Sequence, residues 1–231
     1  MSARQPLVLV PGLACDAALW RAQVTGLADV AATSIADTLQ DDSIAAMAER
    51  LLASAPERFA LAGFSMGGYV ALAAARLAPG RITRLALVAT SADAETADEA
   101  RLREAALATA RERGLERVIR GSLDRLVHPQ ADPAVAESVA AMALRLGADT
   151  YARQQHAIAA REDGHGVLAA LRVPALVLAG AQDRMIAPAH SAAMARTLGQ
   201  DAFCEIERCG HMAPMEQPRA VNAALREWLA A

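Results

Sequence analysis

Phe59-Ala-Leu-Ala-Gly-Phe-Ser-Met-Gly-Gly68 is an apolar run that ends in glycine, serine and glycine within five residues. A short run with no polar alternation is what a strand buried on both faces of a parallel sheet requires. Its last part, Gly63-Phe-Ser65-Met-Gly67, is a G-x-S-x-G pattern, and residues of helical period follow at once over Gly67–Leu77. Small residues on either side let the backbone crowd into a sharp strand-to-helix turn with the serine at its tip. The Ser65 hydroxyl then projects from the C-terminal edge of the sheet. Free N–H groups and the positive potential of the helix start stand beside it, ready for a developing oxyanion. A turn that merely starts a helix can carry the same five letters. The strand before it and the helix after it are what favour a reactive serine here.

Outward from this point the same strand–helix alternation runs through most of the chain. Candidate strands are Leu7–Val10, Ala31–Ile35, Arg58–Ala62, Arg84–Val88, Ala175–Ala179 and Ala202–Ile206. Candidate helices are Ala17–Ala28, Ser43–Ser54, Gly67–Leu77, Ala189–Leu198 and Pro218–Leu229, with Ser43 as a cap and Gly199 as a stop. The expected fold class is α/β, a mostly parallel sheet of about six strands flanked by helices. The alternation stops between Asp93 and about Gly166, where Ala, Leu, Arg and Glu recur at helical spacing, as in Glu99–Arg113 and Pro133–Leu146. A stretch this long is not a structureless loop in a compact domain. It is expected to be a helical insert, residues 93–166, in a core made of residues 1–92 and 167–231. Its charges read as the solvated faces of amphipathic helices.

A serine hydroxyl is a weak nucleophile at neutral pH and needs a base, which in turn needs an orienting acid. Val173-Pro-Ala-Leu-Val-Leu-Ala-Gly-Ala-Gln-Asp183 is a strand and turn with an acid just past its end. Ala202-Phe-Cys-Glu-Ile-Glu-Arg-Cys-Gly-His211 has the same form with a histidine. Ser65, Asp183 and His211 therefore all follow parallel strands, on the edge where open α/β sheets bind their ligands.

Composition narrows the alternatives. The 231 residues are 54% hydrophobic and 21% charged, enough apolar surface for one globular domain and against a disordered chain. A net charge of -3 offers no concentrated cation for nucleic acid. Cys15, Cys204 and Cys209 are odd in number, with no CxxC and no histidine at zinc-like spacing, so neither a disulfide framework nor a metal site is expected. The apolar run Leu7–Val10 is broken by Pro11-Gly12, too short for a signal segment. No run approaches the roughly 18 apolar residues of a membrane helix. A cytoplasmic protein is the expectation, with no membrane partner and no nucleic acid. Gly67-Gly68 lacks the following Lys-Ser/Thr of a phosphate loop, so no nucleotide is implied.

Four motifs in order carry a family resemblance: Val10-Pro-Gly-Leu13, Gly63-Phe-Ser-Met-Gly-Gly68, Gly180-Ala-Gln-Asp183, and Gly210-His211 followed by Glu216-Gln-Pro218. With them the chain resembles the α/β-hydrolase fold superfamily over nearly all its length, and the order Ser, Asp, His is that family's order. The resemblance implies Ser65 as nucleophile, His211 as general base and then acid, and Asp183 as its orienter. It implies an oxyanion hole from the backbone N–H of Leu13 and Met66, and a helical cap in the 93–166 insert. It also implies a cofactor-independent hydrolase acting on a small-molecule carboxylic ester, lactone or thioester. The same fold and triad also host C–C bond hydrolysis, lyase and perhydrolase chemistry, and a non-catalytic small-ligand binder is a further alternative. Many relatives have His-Gly where this chain has Pro11-Gly12, and their usual N-terminal antiparallel strand pair is missing here. The serine at the elbow argues against relatives that place aspartate there.

Asp93 is the rival acid, because some members of the fold keep theirs after the strand that ends near Ala89; the Gly-x-x-Asp turn of Asp183 fits the acid loop better. His128 and His156 lie in the insert, His165 in a connecting turn and His190 near a helix start, and none has the strand-then-glycine setting of His211. Met66, Met185, Met212 and Met215 fall near the proposed site, where packing around crowded turns competes with an adaptable acyl pocket. Cys15 and Cys209 read as small buried hydrophobes, Trp20 and Trp228 as core or interface residues. Gln154, Gln155 and Arg161 are expected to serve packing of the insert rather than substrate contact.

Overall fold

The computed structural model describes residues 4–199 and 202–231. Among the described residues six strands form, β1 (Gln5–Val10), β2 (Ala31–Ile35), β3 (Phe59–Phe64), β4 (Ile82–Val88), β5 (Ala175–Gly180) and β6 (Phe203–Ile206). They make one sheet in the order β2-β1-β3-β4-β5-β6, every pairing parallel. Parallel neighbours need crossovers, and the helices that supply them cover both faces. These are α1 (Arg21–Gly26), α2 (Ile44–Ser54), α3 (Met66–Leu77), α8 (Pro188–Leu198) and α10 (Pro218–Ala230), with α9 (Ala213–Glu216) a single turn before the last. Among the described residues β1 is the first strand in chain order and lies next to β2 at the edge of the sheet. No described helix is long and apolar enough to cross a membrane.

Strand periodicity divides the core into two layers. Leu7, Leu9 and Phe64 point into one cluster with Trp20 and Trp228; Val8, Val10 and Leu61 point into the other with Met47 and Val70. A Val- or Leu-sized side chain fully removed from water in this way contributes roughly 1.5–3 kcal/mol. Strand β3 runs two residues further than its expected end at Ala62, because Gly63 and Phe64 keep pairing with Leu87 and Val88. The helix expected over Ala17–Ala28 divides. Asp16 caps a tight turn over Ala17–Trp20 by accepting from the Ala18 N–H at 2.9 Å, and α1 follows.

After β4 the chain leaves the sheet for α4 (Ala97–Arg113), α5 (Leu115–Leu126) and α6 (Pro133–Ala159), returning through α7 (His165–Ala170). The Gly164 N–H bonds to the Ala92 carbonyl at 2.7 Å, so the excursion leaves and re-enters at one point. Thr96 and Glu99 form a reciprocal capping box at the start of α4. Helix α6 has two arms, since Gly147 at φ 82° breaks the helical backbone; the expected Pro133–Leu146 helix is its first arm. Leu115 and Ile119 of α5 pack on Ala140, Ala143 and Tyr151 of α6, and Ala14 of the loop after β1 joins the same cluster.

Candidate active site

Ser65 stands between β3 and α3 at φ 52°, ψ −118°, a backbone conformation costly for any residue with a Cβ. Such strain costs on the order of 1–3 kcal/mol and persists only where the surroundings over-determine it. Here they do. The Ser65 N–H bonds to the Val88 carbonyl at 2.9 Å, and the Ser65 carbonyl accepts from the Gly68 N–H and from Thr90 Oγ1, both at 2.8 Å. The glycines have a separate steric reason. A Cβ on Gly63 would overlap the Gly67 carbonyl, one on Gly67 the carbonyls of Val10 and Pro11, and one on Gly68 the Thr90 side chain. The elbow is therefore pressed against the end of β1 and the exit of β4.

His211 Nε2 lies 3.0 Å from Ser65 Oγ, and His211 Nδ1 lies 2.7 Å from Asp183 Oδ2. Asp183 Oδ1 accepts from the N–H groups of Met185 and Ile186 at 2.8 and 2.9 Å, which orients the carboxylate. An ionised carboxylate only accepts, so the proton of this pair sits on Nδ1 and leaves Nε2 as acceptor for the serine hydroxyl. Asp183 and His211 are 5% and 2% exposed, while Ser65 is half-buried and reachable. Phe64 backs the imidazole at 5.0 Å between ring centres. The histidine and acid loops are laced together: Gln182 N–H bonds to the Cys209 carbonyl, and Cys209 N–H to Gln182 Oε1.

The Leu13 and Met66 N–H groups donate to no protein acceptor in the loops and turns among the described residues. Met66 opens α3, where the first amides have no intrahelical partner. Neighbouring amides are occupied: Cys15 N–H bonds to the Gly12 carbonyl, and Ala14 N–H to Gln154 Oε1.

The rival acid lies elsewhere. Asp93 meets His165 Nε2 at 3.0 Å and His190 Nδ1 at 2.8 Å, tying the exit of β4 to α7 and α8. Partial burial pushes its carboxyl up, but the two imidazole bonds more than offset this and hold it below the usual aspartate value. His128 and His156 are on the insert, His156 exposed and His128 bonded through Nδ1 to the Gln130 N–H. Met66 and Met212 are core residues, and Met185 and Met215 are half-buried. Trp20 is fully buried edge-on to Phe64, and Trp228 bonds to the Pro174 carbonyl. Burial, with the Asp16 charge adding, pushes the Cys15 thiol up to about 12; burial also raises Cys209. Gln155 bonds to Tyr151 and Arg103, and Arg161 to Glu99 beneath its contact with the Tyr69 ring, so both serve packing.

Several supports of the site carry no sequence signal of their role. Thr90 is one. Glu216 is another: it belongs to a quoted motif, but its task emerges only in three dimensions. Glu216 Oε2 accepts from the Gly210 N–H beside His211 and from the His128 N–H of the insert, at 3.1 and 2.8 Å. The N–H groups of His211 and Met212 both bond to the Leu126 carbonyl at the end of α5. The histidine loop is thus shared between core and insert.

Against known proteins, the model of a family described as "alpha/beta hydrolase fold" matches residues 5–218. A thermophilic esterase from Thermogutta terrifontis, solved with malate bound, is 31% identical at a TM-score of 0.88; the match covers 98% of this chain and 89% of that one. An enol-lactonase from Burkholderia xenovorans LB400 has a TM-score of 0.87 at 22% identity, over 100% of this chain and 93% of its own, a likeness of fold. A curated relative, the pimeloyl-[acyl-carrier protein] methyl ester esterase of Photobacterium profundum, is 37% identical over 93 residues. That match spans 37% of this chain and 37% of the relative's length.

Proposed function

Since the chain belongs to the α/β-hydrolase fold family, we propose that it is a serine hydrolase cleaving a carboxylic ester, or a related lactone or thioester, of a small molecule. The observation that carries this reading is the run of contacts from Ser65 Oγ through both nitrogens of His211 to Asp183. The likeness to an esterase at 31% identity over almost the whole chain supports the ester as substrate class.

In the proposed cycle Ser65 Oγ attacks the carbonyl carbon as its proton passes to His211 Nε2. Asp183 stays ionised and stabilises the imidazolium. The carbonyl oxygen becomes an oxyanion held by the N–H groups of Leu13 and Met66, donors of a kind that contribute roughly 2.7–4 kcal/mol each. Collapse breaks the bond to the leaving alcohol, which takes the proton from His211. Water then attacks the acyl-enzyme, with His211 again the base, releasing the acid and restoring Ser65. In this reading residues 93–166 are the cap, and their apolar faces on α5 and α6 border the loop that carries Leu13.

Intact-mass labelling with a small fluorophosphonate tests the reading without knowledge of the natural substrate. One adduct on the wild type, absent from Ser65→Ala and His211→Ala, is the expected result. An unlabelled wild type across several probe sizes, or an adduct that survives in Ser65→Ala, would sink it.

A further inference from the structure

We infer that Gln154, on the second arm of α6, is a positioning residue for the oxyanion loop, fixing the Leu13–Ala14 peptide at the centre of the turn and through it the place of the preceding Gly12–Leu13 peptide, whose N–H is offered to the reacting carbonyl. This rests on the reading of Leu13 as an oxyanion donor.

Gln154 is 0% exposed and both ends of its amide are engaged. Oε1 accepts from the Ala14 N–H at 2.7 Å, and Nε2 donates to the Thr38 carbonyl at 3.0 Å. These partners determine which way the amide faces, because a flip would set its NH2 against an N–H and its oxygen against a carbonyl. Any buried amide must find partners, and those of this one lie on two other segments far along the chain, so it links three.

The loop needs an external hold. The Cys15 N–H bonds to the Gly12 carbonyl, closing a turn with Leu13 and Ala14 at its centre. Ala14 takes φ 53° while Leu13 is not among the positive-φ residues, the pattern of a type II turn. That turn wants glycine at its third position, so an alanine there favours rotation of the central peptide to negative φ. Both ends of this peptide are pinned: its N–H by Gln154, and its carbonyl by the Cys15 thiol at 3.3 Å. The thiol is a weak donor, which leaves the amide as the stronger restraint. Ala14 is 6% exposed, so water does not readily replace Gln154 as acceptor. The first arm of α6 grips the same loop through Arg145 and Asp16 at 2.6 Å. The bent helix therefore holds the loop at two points, and Gln154 is the one bonded to the turn itself.

The test compares Gln154→Met, Gln154→Glu and Arg153→Met in the full chain, with kcat and KM for p-nitrophenyl acetate and thermal midpoints. Gln154→Met keeps the length but accepts nothing from Ala14. Its kcat should fall about 30- to 100-fold with KM within about threefold, as expected when a transition-state donor is misplaced. Gln154→Glu, neutral in this buried place, keeps an oxygen for the Ala14 N–H and an O–H for the Thr38 carbonyl, and should recover at least about tenfold of that loss. Arg153→Met removes the bond to the Leu39 carbonyl from the same stretch of helix without touching the turn. It should keep kcat within about threefold, a smaller effect than loss of an oxyanion donor. Gln154→Met activity within threefold of wild type, an equal loss in Arg153→Met, or a raised KM at constant kcat each overturns the inference. If Gln154→Met does not fold, Gln154→Asn replaces it, too short to reach both partners, with the same ordering expected. Turnover retained in Ser65→Ala would instead refute the parent reading, and this inference with it.

Discussion

Strand β3 buries all six of its residues, whereas helix α4 buries none of its seventeen. The two belong to regions that solve the problem of precision differently. Around the elbow, backbone approaches backbone so closely that Gly63, Gly67 and Gly68 have no room for a Cβ. Shape there is a matter of sterics, and the strain at Ser65 is held by bonds from three sides. The insert packs helix on helix and gives Val127, Val139 and Met142 to one core layer and Ala157 and Ile158 to the other. Directed bonds also cross to the core: Gln154 to Ala14, Arg145 to Asp16, Arg153 to Leu39, and Glu216 to His128. Its outer face, above all α4, can change freely as long as those buried contacts and bonds survive.

Substitutions can break or sharpen this contrast. Ser65→Ala and His211→Ala should each lower kcat on an activated ester by about 10⁴- to 10⁶-fold, as triad removals do, with little change in thermal midpoint. A residual rate within tenfold of wild type would refute the roles proposed for Ser65 and His211. Asp183→Asn should cost about 10⁴-fold by spoiling the His211 tautomer. Asp93→Asn, at a carboxylate bonded to His165 and His190, should leave the rate within a few-fold. Equal losses in the two variants would erase the distinction between them.

Stability should follow the same division. Gly67→Ala pushes a methyl group into the carbonyls of β1's end and should destabilise by about 2–3 kcal/mol in urea unfolding, the scale of overpacking in a tight core. The buried thiols add a pH signature. Cys15 is raised to about 12 by burial, and an unfolded thiol ionises near about 8.5. Its contribution is therefore fully present below the unfolded value and is lost as pH rises toward the folded one. The loss is at most about 1.4 kcal/mol per pH unit. Unfolding between about pH 9 and 10.5 should depend less steeply on pH in Cys15→Ala than in wild type. Leu102, 61% exposed on α4, marks the other extreme: Leu102→Ser should change stability by less than about 0.5 kcal/mol. A larger loss would mean that the Leu102 side of α4, unlike the side of Leu107 and Ala110 that packs on α5 and α6, is covered.

Strands, the sharp turn at Ser65 and the places of Ser65, Asp183 and His211 just past strand ends were legible from the sequence because they record local constraints. Burial on both faces leaves short unbroken apolar runs, and crowded turns leave glycines. Those signals end where a partner lies far along the chain. Whether Asp183 or Asp93 meets His211 depends on how two loops at the sheet edge are laced, and Asp93 finds two other imidazoles. Composition announced the insert as helical, but the bend at Gly147 and the reach of Gln154 into the loop after β1 have no local mark, since the hydrogen bond crosses 140 residues. Thr90 and Glu216 were unreadable for the same reason. A side chain's chemistry is written in its letter, whereas the choice of partner for each buried polar group belongs to the packing of the whole chain.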